Sequence, residues 1–403
     1  MRQRALRDGA PSEIGLVLSG GGARGAFQVG VWEVLRADPR GLGGLPSVIS
    51  GTSAGALNGA LIAAGRTPSE MLDFWLGLAE RPPVVANRGF FSSVERALGK
   101  LALAEPLRGL KERLRSFRMA AHLARKHAVF AQSGRLAALA EYVMTARFDA
   151  VSRLLDEVHT SYLFSTEPLR ARLAEAIGGW ALKESDVKLA INAVDVRSGQ
   201  VVRYVSHPPK KHSDSDDSHY EHGPITVDVI LASASIPLLF NPVTLGGREL
   251  WDGGLLVNTP LAPVVALGAT RVLPVLVTSG RDAHPHAPLG FGDAIERLAD
   301  AFLENAYNSD RKLLLERNKL ARLMPDLGFS VVELYDAIRP LPGYEFEAGS
   351  YLYFDKTVLR GMYEAGRDAA RAWLAAGPRV DERPGHPSTV EELPTAERSA
   401  KIA

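Results

Sequence analysis

The feature that most constrains this chain is a pair of glycine-rich turns inside one stretch, Ile14 to Ala64. The stretch reads strand, glycine loop, helix, strand, glycine-flanked serine, helix. Leu16-Val17-Leu18 is an apolar run of the length of a short buried strand, and Gly20-Gly21-Gly22-Ala23-Arg24-Gly25 ends it. The segment after Gly25 is apolar almost all round, with Gln28, Glu33 and Arg36 as its polar members, as suits a helix covered on much of its surface. Val48-Ile49-Ser50 begins the second unit. Its turn is Gly51-Thr52-Ser53-Ala54-Gly55, and the helix from Ala54 is rich in Ala and Gly, small enough to approach neighbouring backbone closely. Two such turns so near each other predict one site, in which the first binds an oxyanion and the second presents a nucleophile.

The remainder repeats the same rhythm. Strands are expected at Val187–Val196 and Gln200–Ser206, joined by a hairpin turn at Arg197-Ser198-Gly199. Further elements are a helix through Ile225–Ala234, a strand-rich run into Trp251-Asp252-Gly253-Gly254, a helix near Pro260–Leu267 and a buried strand from Arg271. An amphipathic helix over 290–323, a strand over 331–338 and a helix over 355–375 complete the list. Short buried strands alternating with helices predict an α/β fold with a mainly parallel sheet and helices on both faces. The 403 residues, 46% of them apolar, can bury a sizeable core. The α/β domain is expected over 14–375, with residues 1–13 as a loose arm and 377–403 as a disordered tail. Residues 92–178 show no convincing strand and read as an inserted helical cap. The polar run 207–223 reads as an exposed loop.

Three chemistries compete for the glycine loop. Gly20, Gly22 and Gly25 satisfy the Gly-x-Gly-x-x-Gly spacing of a dinucleotide fold, which also needs an acidic residue at the end of its second strand. Here that strand ends in Ser50-Gly51-Thr52-Ser53, without a carboxylate. No Gly-Lys-Ser/Thr ending is present, so a P-loop is excluded. A plain tight turn is the bland reading. The third is a set of backbone N–H groups aimed at developing negative charge, reinforced by a helix N-terminus. Gly51-x-Ser53-x-Gly55 favours the last, because a nucleophile elbow needs small residues on both sides of a serine at a strand-to-helix junction.

Ser53 then needs a base. Of the ten histidines, most fall among basic residues, in the polar loop or in the tail. His284 and His286 follow a buried strand and come after Asp252, which leaves a Ser53–Asp252–His284 triad as a rival. Asp252 is the stronger candidate: it stands between an apolar run and the pair Gly253-Gly254, where surface solvation explains a carboxylate poorly. Its reference pKa, near 3.9, makes it a weak base, and partial burial beside Ser53 would strengthen it.

Gly-Gly-Gly-Ala-Arg-Gly, Gly-Thr-Ser-Ala-Gly and Asp-Gly-Gly, in this order, resemble the patatin-like phospholipase family. Ala232-Ser233-Ala234-Ser235-Ile236-Pro237, Phe240-Asn241-Pro242 and Asn258-Thr259-Pro260 extend the match. The resemblance covers 14–80 and 187–280 well and 290–375 loosely. It implies a three-layer α/β/α fold and a lipid acyl-ester hydrolase. Ser53 would be the nucleophile, Asp252 the base of a Ser–Asp dyad, and the Gly20–Gly25 backbone the oxyanion hole, with Gly51, Gly55, Gly253 and Gly254 shaping the turns. No cofactor or metal is expected. The core motifs do not account for the 92–178 region.

Lys plus Arg (47) against Asp plus Glu (46) leaves no global charge to argue for nucleic acid. There are no cysteines, hence no disulfide framework. The charged start of the chain lacks an apolar core for a signal peptide, and no run is long enough to span a bilayer. A cytoplasmic protein is therefore expected. Eleven Lys/Arg between Arg96 and Arg147 face only Glu105, Glu112 and Glu141, which invites peripheral contact with an anionic membrane or, equally, a solvated cap face.

Overall fold

The computed structural model describes residues 13–40, 45–96, 158, 160–210, 219–279, 291–344, 346 and 348–381. Histidines 122, 127, 159, 212, 284, 286 and 386 lie outside these residues, as do most of the expected helical cap and nearly all of both termini. The described residues fall into two compact units. One is drawn from Met1–Pro82, Arg170–Ser235 and Val243–Ala403, the other from Pro83–Leu169 and Ile236–Pro242.

The first unit is built on a nine-stranded sheet. Its parallel centre is β12 (Glu333–Leu334), β11 (Arg271–Val275), β1 (Ile14–Leu18), β2 (Val48–Gly51) and β5 (Lys188–Asp195), in that order. Strand β10 (Arg248–Asp252) runs antiparallel to β5 and carries β9 (Val243–Leu245). Strand β6 (Val201–Val205) pairs antiparallel with β5, and β7 (His219–His222) parallel with β6. The expected mainly parallel α/β sheet is thus present, with an antiparallel wing.

Period-two alternation distributes the sheet's side chains between two helical layers. Val17, Val48 and Ala190 face one layer and are buried with Leu261 and Val264 of α6 (Leu261–Ala266) and Tyr307 and Leu314 of α7 (Phe291–Leu323). Ile49 and Leu189 face the other, against Gly59 of α2 (Ala54–Ala63). That layer also holds α1 (Gly25–Ala37) and α3 (Pro68–Glu80), and α8 (Lys356–Ala376) lies along α1. Helix α3 starts on a capping box: Thr67 accepts from the Glu70 N–H while the Glu70 carboxylate accepts from the Thr67 N–H. Two further helices are α4 (Glu167–Ile177) and α5 (Val227–Ala232).

The second unit holds a three-stranded sheet of β3 (Val85–Ala86), β4 (Tyr162–Ser165) and β8 (Leu238–Phe240). Strand β4 corrects the expectation that 92–178 carries no strand: it pairs antiparallel with β3 and parallel with β8. The expected loop at 207–223 needs a similar correction, because His219–His222 is strand β7. In both places a partner strand supplies the hydrogen bonds, remote in sequence for β4 and the preceding strand β6 for β7. Among the described residues no helix is long and apolar enough to cross a membrane.

Candidate active site

Strand registry brings the two distant halves of the site together. The β2 end pairs with the first half of β5, Gly51 opposite Ile191. The β10 end pairs with the second half of β5, Asp252 opposite Ala193. Because β6 occupies the other edge of β5 across both halves, β2 and β10 share one edge and meet nearly end to end. Ser53, just beyond β2, and Asp252, at the end of β10, therefore converge across 199 residues of chain. The Ser53 hydroxyl comes close enough to the Asp252 carboxyl to favour its ionised form.

Ser53 sits between β2 and α2 with φ 52° and ψ −120°, a backbone conformation that costs a non-glycine residue about 1–3 kcal/mol. Several contacts hold it there. The Thr52 N–H donates to the Leu18 carbonyl, the Thr52 hydroxyl donates to the Val257 carbonyl at 2.9 Å, and the Ser53 N–H donates to Ser233 Oγ at 3.0 Å. Asn192 Nδ2 reaches the Thr52 hydroxyl at 3.3 Å. The small residues around the serine are required by crowding: a Cβ on Gly55 would strike the Leu18 carbonyl. This is the strained strand-to-helix geometry of a nucleophile elbow.

Asp252 is buried, and its carboxyl accepts the Gly254 N–H at 2.7 Å. Loss of hydration raises its pKa to about 7, against the smaller lowering effects of the Gly254 N–H and the Ser53 hydroxyl. Its own N–H donates to the Ser235 carbonyl at 2.9 Å. Gly253 opens the short turn behind it and lies against the Asn192 backbone.

The glycine loop borders Ser53. Gly20 approaches the Ser53 Cβ and donates its N–H to the Asn258 carbonyl at 3.0 Å, while Asn258 Nδ2 returns a bond to the Gly20 carbonyl. Gly22 has φ +54° and lies so close to the Tyr351 carbonyl that a side chain would collide with it. Not every N–H of the loop is available. Gly20 is engaged by Asn258, Arg24 donates to the Gly21 carbonyl, and Gly25 donates to Gly22 and Ala23. Among the described residues the Gly21, Gly22 and Ala23 N–H groups give no hydrogen bond. They are the unspent donors of the loop.

Arg24 turns away from Ser53. Its buried guanidinium pairs with Asp300 of α7 at 3.2 Å, bonds Ser350 Oγ at 2.8 Å and stacks over the Tyr351 ring at 3.8 Å. The loop's far side rests on a buried polar chain: Gln28 donates to the Ser19 carbonyl, Asn58 to the Gly25 carbonyl and Gln28, and the Trp75 indole to Asn58. Sequence reading grouped Ser233, Ser235 and Asn258 in matching segments without giving them roles. Those roles are tertiary: each reaches the site across the fold. Asn58, Gln28 and Trp75 sit in helices whose polar residues looked incidental.

A family model described as Patatin-like phospholipase matches residues 16–265. Proteins described as uncharacterized NTE family proteins, from Mycobacterium tuberculosis and Mycobacterium bovis, are 23% identical over 178 residues, 43% of this chain and 45% of theirs. The chain thus aligns with about half the length of these curated relatives. A crystal structure of VipD from Legionella pneumophila matches 93% of this chain and 69% of its own at a TM-score of 0.37 and 14% identity.

Proposed function

Because the chain belongs to the patatin-like phospholipase family, we propose that it is a serine acyl-ester hydrolase of lipids working through a Ser53–Asp252 dyad. The observation that carries this is a buried carboxyl beside the Ser53 hydroxyl, raised by burial to a pKa of about 7. A carboxylate near its usual value is too weak a base for a serine. One raised to the working pH combines adequate basicity with a useful ionised fraction.

In this reading the Ser53 Oγ attacks the ester carbonyl carbon as Asp252 takes the hydroxyl proton. The carbonyl oxygen gains negative charge and accepts hydrogen bonds from the Gly21 and Gly22 N–H groups. The tetrahedral intermediate collapses with loss of the alcohol, which receives the proton from Asp252. Water, deprotonated by the same carboxylate, attacks the acyl-serine; the C–O bond to Ser53 breaks, Asp252 returns the proton to the serine oxygen, and the fatty acid is released. Donors fixed beforehand need no reorganisation as charge develops, and one such donor is worth about 10²–10³ in rate.

The test is product analysis on a panel of phospholipids, lysophospholipids and glycerides, with labelling by a serine-reactive fluorophosphonate. Ser53→Ala should abolish both hydrolysis and labelling, and Asp252→Asn should abolish turnover. Full turnover in either folded variant would overturn the dyad.

A further inference from the structure

We propose that the mouth of this site meets a net-neutral, zwitterionic lipid surface through two pairs of exposed apolar residues, Leu255–Leu256 and Leu352–Tyr353. The proposal rests on the acyl-hydrolase reading for the identity of the partner, and on the following geometry for its place.

Each pair is tied to the glycine loop, one at Gly20 and the other at Gly22. Leu255 and Leu256 follow Asp252-Gly253-Gly254 directly. Gly254 lies beside the Asn258 side chain, and the Asn258 carbonyl binds the Gly20 N–H. Leu352 and Tyr353 follow Tyr351, whose carbonyl abuts Gly22. The four side chains are 38%, 47%, 50% and 58% exposed. Single exposed leucines are ordinary on any protein surface, and two consecutive apolar pairs tied to one loop are not.

Charge identifies the surface they fit. Gly253–Thr259 and Ser350–Phe354 contain no Asp, Glu, Lys or Arg. The one charged residue of the loop itself, Arg24, is buried and paired with Asp300. These two segments offer an anionic headgroup no charge to attract and lose no ion hydration at a net-neutral one. Apolar area inserted among acyl chains then provides the attraction. A zwitterionic surface is the matching partner, and an ester carbonyl of the bilayer would be presented to the loop between the two pairs. This differs from the electrostatic contact expected of residues 96–147.

The experiment is co-sedimentation of the full chain carrying Ser53→Ala with phosphatidylcholine vesicles, at low and high salt. Binding should be insensitive to salt, and Leu255→Ser/Leu256→Ser and Leu352→Ser/Tyr353→Ser should each lower it roughly tenfold or more. The two pairs are tested separately, with circular dichroism to establish that each variant folds. Unchanged binding in both pairs would overturn the proposal. So would binding that requires anionic lipid and vanishes in salt, or a variant that loses turnover of a water-soluble short-chain ester, with Ser53 intact, as fully as it loses vesicle binding. Soluble-ester turnover by the parent separates the two readings. Turnover without vesicle binding sinks the surface alone, and rim-dependent vesicle binding without turnover of soluble ester or lipid sinks the hydrolase alone.

Discussion

The hydroxyl oxygen of Ser233 accepts the backbone N–H of Ser53 at 3.0 Å, in a fully buried position. Two residues later the Ser235 carbonyl accepts the N–H of Asp252 at 2.9 Å. The short segment that ends α5 therefore fixes the backbone of both members of the candidate dyad, and a shift of this segment would move them together.

Ser233→Ala removes an acceptor without adding bulk. The Ser53 N–H is then left buried and unpaired, which costs about 1–3 kcal/mol, and the strained serine can relax. Steady-state kinetics should show kcat reduced by roughly 10- to 100-fold with KM little changed, as small misplacements of a reacting group produce. The pH dependence should stay that of the parent because Asp252 keeps its surroundings, and Ser233→Thr should recover part of the loss. Unaltered kcat in Ser233→Ala would remove the positioning role.

Asp252 makes opposite predictions for activity and for stability. Its base form is the ionised one, so kcat/KM should rise with pH through about 7 and level off above it. Stability should move the other way. Below the ordinary value of 3.8 the carboxyl is protonated in both folded and unfolded chains. Between there and about 7 the folded chain retains a proton that the unfolded chain has lost, so stability falls as pH rises, by on the order of 4 kcal/mol in total. Asp252→Asn abolishes this dependence. The variant should be inactive yet melt higher than the parent at pH 8, with the difference closing towards pH 4. Thermal unfolding followed across this range checks the sign, and a parent that gains on the variant as pH rises would contradict it.

How much of this was legible beforehand depends on the range over which each feature is determined. The β1 loop and the β2 turn announce themselves because apolar runs, glycines and a serine lie within a few residues of one another. Strand β4 does not. Tyr162–Ser165 is only four residues long, and its partners Val85–Ala86 and Leu238–Phe240 lie some 75 residues away on either side. Strand β7 is obscured for another reason. His-Tyr-Glu-His has the composition of a loop, and the edge of β6 supplies the pairing that makes it a strand. Asp252 was recognisable from its neighbours, but its reach to Ser53 depends on the shared edge of β5. The distinction between spent and free N–H groups in the glycine loop depends on Asn258, which no local pattern could assign.

Gly22→Ala probes those free groups. The residue has φ +54°, which costs an L-residue about 1–2 kcal/mol, and its added methyl would collide with the Tyr351 carbonyl. The loop must shift, moving the Gly21 and Gly22 N–H groups from the place where they would meet an oxyanion. Hydrolysis should fall by about 10²–10³-fold, the usual loss for one such donor. Fluorophosphonate labelling of Ser53 should slow in parallel, since phosphonylation develops the same oxyanion charge. Rapid labelling with lost turnover would instead place the defect in a later step.

Arg24 supports the loop by a route that activity alone would not distinguish from catalysis. Its guanidinium is buried, pairs with Asp300 at 3.2 Å and stacks on Tyr351, whose hydroxyl also bonds Asp300. Arg24→Met leaves the Asp300 carboxylate without its cationic partner in a site where its side chain is only 12% exposed. Breaking a buried pair from one side costs about 3–5 kcal/mol, much of it the penalty of the stranded charge. Arg24→Met/Asp300→Leu removes both charges and should recover a large share of that loss in chemical denaturation. Lysine at position 24 keeps the charge but not the planar stack, so Arg24→Lys should fall between the two. Hydrolysis should follow a different order from stability: the double variant regains its fold without regaining the link between the glycine loop and α7, and should remain slower than the parent. A double variant no more stable than Arg24→Met would mean that the stack and the bond to Ser350, rather than the ion pair, anchor this loop.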